Sequence, residues 1–163
     1  MGVSSSERYW QRIIDAYYEK YQGIKEWHIK LLDDVRRHGR LEIPSGRIYY
    51  FSADTSRGYP RWPETKIKNY PVQGFGADLV MLARIELLRI FNSSGGDGKF
   101  ISTVHDSLVL DIPSEICYTI RDMLKSSVES VPRLCKEKFG YDFNLPLTCE
   151  VLAGPNMKDL EEI

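Results

Sequence analysis

The chain reads as an α+β protein, and two features of its pattern say so. Apolar side chains recur at helical spacing over residues 4–38, 72–91 and 114–138. Short β-prone runs over 40–51, 100–112 and 145–151 are interspersed with them. Glycine and proline gather at the joints, where turns need them. No internal repeat and no linker divides the 163 residues, so 1–163 is expected to form a single domain with a core of its own.

Residues 4–38 open the chain as helix, with Ser4 and Glu7 spaced as a capping box. Ile14, Tyr17, Tyr18 and Tyr21 share one face, and Ile24, Trp27, Leu31 and Val35 continue at the same spacing. Gln22-Gly23 is expected to bend or break this rod, and His38-Gly39 to stop it. Arg40–Ile43 and Ile48–Phe51 then read as a hairpin turning on Pro44-Ser45-Gly46, and residues 52–64 as a loop.

Asn69-Tyr70-Pro71 is expected to start a buried helix running from about Val72 to Phe91, with Asn69 as its cap. Apolar residues cover most of its circumference, apart from Gln73, Gly74, Gly76 and Asp78 in its first turns, where glycines let a ligand or backbone come close. A glycine-rich loop, Asn92–Gly98, leads to a second hairpin, Phe100–Val104 against Leu108–Ile112, with His105, Asp106 and Ser107 at its tip. Ser114 is expected to cap the next helix, whose inward face carries Ile116, Ile120, Met123 or Leu124, Ser127 and Val131 and which Pro132 divides. A last strand over Leu145–Val151 and an acidic tail close the chain.

Composition narrows the function. Hydrophobic content of 42% and charged content of 28% are ordinary for a globular protein. A net charge of −1 excludes a global basic field, so nucleic acid would have to meet a local patch. One such patch is visible: five basic residues against two acidic ones between Arg47 and Lys68, interleaved with Tyr49, Tyr50, Tyr59 and Trp62. That mixture suits a sugar-phosphate backbone or an exposed base, and equally a solvated loop with packed aromatics. Cys117, Cys135 and Cys149 are widely spaced and form no CxxC pair, which argues against a disulfide framework or zinc ribbon and fits a reducing, cytoplasmic setting. No membrane association is expected, since no apolar run approaches the roughly 18 residues of a span and Met1–Ser6 lacks a signal-peptide core. Gly2 with Ser6 matches a myristoylation pattern loose enough to arise by accident.

Three readings compete for His105-Asp106-Ser107. A hydrolytic triad needs members converging from separate elements, which three consecutive residues cannot do. Plain turn residues are the bland alternative. Metal-assisted phosphoryl chemistry is the third, and it needs a carboxylate at a fixed position plus a second one from another strand.

Five segments together bear on the choice. Tyr18–Ile24 with Trp27, Ser45-Gly46-Arg47, Asn69-Tyr70-Pro71-Val72-Gln73-Gly74 with Ala77-Asp78, Val104-His105-Asp106-Ser107 and Gly154-Pro155-Asn156 occur in this order. In order and spacing they resemble the C-terminal palm region of family A (polymerase-I-like) DNA polymerases, along nearly the full chain. The third is similar to the family's N-x-P-x-Q-G-x-x-A-D signature, and the fourth to the V-H-D-[ES] motif of the palm hairpin.

The resemblance implies an antiparallel palm sheet whose hairpin packs against long helices. It implies that Asp106 is one of two carboxylates holding catalytic Mg2+ ions, with His105 near the primer terminus. Asn69 and Gln73 would touch minor-groove edges of primer–template DNA, where acceptors are nearly sequence-independent. Arg47 would contact the backbone, and dNTP would be the substrate. Ser107 stands where many members have Glu, a replacement that resembles phage-like members and leaves Asp106 the sole metal candidate in the hairpin. Thr65 replaces a common Arg, and Met157 a closing Trp. No counterpart of the D-Y-S-Q-I-E strand, the fingers helix, the thumb or an exonuclease is found. The expectation is therefore a palm subunit, or a fragment of a longer polymerase, that needs a complementary polymerase chain carrying the thumb, the fingers and the first palm Asp. The alternative is a non-catalytic DNA-binding or assembly module derived from a polymerase.

Overall fold

The structure is a computed structural model that describes residues 7–95 and 97–163. The expected capping serine, Ser4, and the Gly2–Ser6 pattern lie outside the described residues. The chain divides into two compact units. One comprises the segment ending at Glu42 together with Ile48–Pro71, and the other comprises Ile43–Arg47 with Val72–Ile163.

In the first unit, α1 (Glu7–Lys20) and α2 (Gln22–His38) are separate helices. The break falls at Tyr21, whose φ of −119° and ψ of 66° leave the helical region, one residue ahead of the expected Gln22-Gly23. Gly39 ends α2 in the left-handed conformation, and its N–H donates to the Val35 carbonyl at 2.8 Å. Leu31, Leu32 and Val35 of α2 form a core with Ile67, against which Leu41, Phe51 and Trp62 pack. The stripe on α1 makes no such core: α1 buries no residue, and Trp10, Ile14 and Tyr17 are about half exposed.

β1 (Arg40–Glu42) pairs antiparallel with β2 (Ile48–Tyr50), Leu41 opposite Tyr49. The turn between them, Ile43–Arg47, closes through bonds from the Ile43 amide to the Arg47 carbonyl and from the Gly46 amide to the Ile43 carbonyl. Gly46 has φ 83°, which suits glycine.

The next helix departs from expectation. α3 runs Glu64–Ser93, so it starts five residues before Asn69-Tyr70-Pro71, and Asn69 is no cap. Pro71 lies inside it, where it removes the bond to the Ile67 carbonyl. Tertiary burial sustains those early turns: Ile67 is fully buried in the first core, and burying such a side chain is worth roughly 1.5–3 kcal/mol. Nor is the rest of α3 buried all round. Leu79, Leu82, Ala83, Leu87 and Phe91 face the core of the second unit, while Val72, Met81, Ile85 and Leu88 are exposed.

That second core joins Leu79, Leu82 and Ala83 to Val131, Leu134 and Cys135, with Phe75, Phe143 and Leu147 against it. β3 (Lys99–Val104) and β4 (Ser107–Asp111) form the expected hairpin, with a register shift between Phe100 and Ser102. Phe100 meets Phe91 of α3 edge to face at 6.1 Å. Ser114 does not cap a helix: Ser114–Ile116 is a 3-10 turn without a side-chain capping bond, and α4 (Cys117–Glu129) follows. Proline at position 113 makes this stiff, extended entry. α5 (Val131–Phe139) carries Pro132 in its first turn, where its missing N–H does no harm.

Residues 145–151 form no strand. The last pairing is instead β5 (Leu152–Ala153) with β6 (Glu161–Glu162), from what was expected to be tail. The Gly154-Pro155-Asn156 turn causes this. Asn156 Oδ1 accepts from the amides of Lys158 and Asp159, and its Nδ2 donates to Asp159 Oδ2. A Cβ on Gly154 would lie 1.8 Å from the Asp159 carbonyl oxygen, so only glycine fits the fold-back.

Candidate functional site

The hairpin tip is built by its register. β3 and β4 pair as far as Val104 opposite Ser107, which leaves His105 and Asp106 as a two-residue turn rather than the expected three. His105 has φ 54°, the one positive φ at a non-glycine among the described residues. A two-residue hairpin turn favours glycine at that first position. Histidine tolerates the left-handed region better than most side chains, at some cost in energy. Ser107 opens β4, and its Oγ donates to the Val104 carbonyl at 2.8 Å. The side chains of His105 and Asp106 stand exposed to solvent. Below them the buried Thr103 hydroxyl has no hydrogen-bond partner among the described residues.

Arg47 sits at the end of the Ile43–Arg47 turn. Its Nε donates to Asp78 Oδ2 at 3.3 Å, its Nη2 donates to Asp78 Oδ1, and Ser45 Oγ donates to Asp78 Oδ2. Burial pushes the Asp78 carboxyl up, but the hydrogen bonds from Arg47 and Ser45, with the guanidinium charge, outweigh it and hold the group below its usual range. Asp78 was legible only as part of a motif. Its role as the anchor of the turn emerges from the structure. The cleft of about 510 Å³ beside this pairing is floored by Met81, Leu82, Ile85 and Phe139, with Lys138 at its rim.

Asn69 and Gln73 are both exposed on α3. A Cβ on Gly76 would meet no heavy atom within 4 Å, so the chain's own packing makes no demand for glycine there. Further along α3, Glu86 is nearly buried and accepts from Arg89 Nε and Nη2, each at 2.9 Å. Those hydrogen bonds lower its carboxyl against the opposing effect of burial, and the charges of Arg89 and Arg133 add to them.

A magnesium ion seeks six oxygen ligands, usually one or two carboxylates with phosphates and water. Among the described residues no group of three or more His, Cys, Asp or Glu side chains comes together. Asp106, a lone exposed carboxylate, does not fit a metal ion by itself. Among the described residues, no helix is long and apolar enough to cross a membrane.

The fold matches a solved structure, the POL domain of Pol1 from M. smegmatis in complex with DNA primer-template and dNTP, with a TM-score of 0.70 at 18% identity over 87% of this chain and 24% of that one. The mixed architecture of helices and small antiparallel sheets is thus shared with that POL domain. The family model for DNA polymerase family A covers residues 2–159, and the chain belongs to that family.

Among curated relatives, DNA polymerase I of Deinococcus radiodurans is 30% identical over 148 residues, 90% of this chain and 14% of the relative. The thermostable DNA polymerase I of Thermus aquaticus is 29% identical over 93% of this chain and 17% of the relative. That of Streptococcus pneumoniae is 28% identical over 86% and 16%. The chain therefore spans about one sixth of the length of the relatives it matches.

Proposed function

We propose that this chain is the C-terminal palm part of a DNA-directed DNA polymerase, working in template-directed deoxynucleotidyl transfer on DNA in the cytoplasm. The observation that supports it most is the hairpin turn that lifts Asp106 into solvent inside a family A palm fold. Asp106 contributes one carboxylate to a two-ion magnesium site, and the other ligands come from polymerase parts beyond these residues, on a complementary chain or segment with the thumb, the fingers and the first palm Asp. Among the described residues no group of three or more ligands completes that site.

The chain's own groups have positioning roles in this reading. Asn69 and Gln73 present amide donors from α3 to minor-groove acceptors of primer–template DNA, which lie in similar places for every correct pair. Arg47 faces the nucleic-acid backbone from a turn that Asp78 orients, half exposed as that role requires. His105 lies beside the primer terminus next to Asp106.

Primer extension tests the proposal. Replacing the matched segment of the Streptococcus pneumoniae enzyme with residues 2–159 should give a fusion that extends a primer with dNTP, and Asp106→Ala in it should abolish synthesis without loss of fold. Synthesis that survives Asp106→Ala would remove Asp106 from the mechanism. The purified 163-residue chain should extend nothing, and unaided extension would refute the need for further parts. A second reading is a non-catalytic DNA-binding module derived from a polymerase. For that, the fusion should be inactive while the chain binds duplex DNA with a steep salt dependence.

A further inference from the structure

Within the basic and aromatic stretch, the loop from Asp54 to Arg61 carries Arg57, Tyr59 and Arg61, none of which has a role above. Asp54 and Arg61 bridge in antiparallel fashion, each amide donating to the other's carbonyl at 2.9 Å. Inside that bridge the Gly58 amide donates to the Thr55 carbonyl at 3.0 Å, with Gly58 at φ 80°. The Ser56 amide donates to Asp54 Oδ1 at 2.9 Å. That bond leads the effects holding the Asp54 carboxyl below its usual range. Pro60 fixes its own φ and biases Tyr59 towards extended backbone. The loop is therefore ordered by backbone bonds rather than by a core, since residues 54–61 are all exposed.

What this rigid loop displays is an aromatic ring and a cation. Tyr59 is 57% exposed, and Arg57 enters no ion pair among the described residues. The same unit repeats the combination on its strand pair. Tyr50, 76% exposed, lies directly opposite Arg40, so both side chains stand on one face with Cβ atoms about 5 Å apart. Neither Tyr50 nor Tyr59 makes a ring contact among the described residues. Aromatic faces held out beside cations bind single-stranded nucleic acid, because bases stack on the rings and phosphates meet the charges. Holding the ring in place beforehand reduces the ordering cost of binding.

We propose that loop 54–61 and the Arg40–Tyr50 pair each present a stacking surface for single-stranded nucleic acid. Tyr59 and Tyr50 each take a base, and Arg57 and Arg40 take phosphates. A purine or pyrimidine serves equally, since every base offers a π-face.

The test uses the full 163-residue chain and a fluorescent oligo-dT of about 16 nucleotides, read by anisotropy, with a hairpin duplex as the comparison. Tyr59→Ala and Tyr50→Ala should each weaken single-strand binding about tenfold, with Tyr→Phe at either position restoring it. Duplex binding should change less than twofold. Arg57→Ala should also reduce the magnitude of the salt slope by about 0.7. All four positions are exposed, so melting temperatures should match the parent and confirm intact folds. Three outcomes overturn the proposal: no single-strand binding, binding indifferent to both tyrosines, or an equal loss on single strand and duplex. Primer extension enters none of these readings, so failure of the polymerase reading leaves the result intact.

Discussion

Arg47 grips Asp78 through two guanidinium nitrogens, and Ser45 donates to the same carboxylate. Three side chains thereby tie the Ile43–Arg47 turn to α3. Asp78→Asn keeps the size but loses the charge, and should destabilise the chain by roughly 1–2 kcal/mol, less than a fully buried pair because Arg47 is half exposed. Urea denaturation checks it: the midpoint should fall with the slope unchanged.

The same carboxylate sets a dependence on pH. Asp78 and Glu86 both have folded pKa values below their usual range. A depressed carboxylate stabilises the fold above its unfolded pKa, about 4, and that contribution is lost as pH falls through the folded value. The urea midpoint should thus hold from neutral pH down to about 4 and drop below it. In the Asp78→Asn, Glu86→Gln double variant the drop should be shallower. An equally steep drop would assign the acid sensitivity to other groups.

At the hairpin tip, His105 occupies left-handed backbone, so its substitutions sort by conformation rather than by chemistry. His105→Gly should leave stability unchanged or raise it, while His105→Val should lower it by about 1–2 kcal/mol. Thermal melts of the two variants give the order directly.

On α3 the two faces should respond oppositely. Leu87 is fully buried, and Leu87→Ala should cost roughly 2–5 kcal/mol. Ile85 is 63% exposed, and Ile85→Lys should stay within about 0.5 kcal/mol of the parent. The second variant should also stay in solution at higher concentration, since it breaks up an apolar patch.

These responses follow a line between what the residues announce and what only the fold supplies. The hairpins, the α2 stop at Gly39 and the division before Pro132 were legible because turn chemistry is local. The start of α3 was not. Pro71 reads as a helix start, yet burial of Ile67 against α2 carries the helix back to Glu64, a long-range effect that local pattern does not contain. The β5–β6 pair was missed for a similar reason: Glu161 and Glu162 have no strand signature, and the Asn156 turn brings them to Leu152 and Ala153. At the candidate site, His105 and Asp106 declared themselves as unusual turn residues. Asp78 did not, because nothing in its neighbours along the chain predicts a partner 31 positions away.

The division of the chain into two units has a practical consequence for spectroscopy. Trp10, Trp27 and Trp62, its three tryptophans, all belong to the first unit, and Cys117, Cys135 and Cys149, its three cysteines, all belong to the second. Cys135 is fully buried, and burial raises its thiol pKa, so alkylation there waits for the second unit to open. Indole fluorescence therefore follows one unit and thiol labelling the other within a single unmodified polypeptide. Coincident transitions from the two signals would mark one cooperative unfolding event, and separated ones would give each unit its own stability.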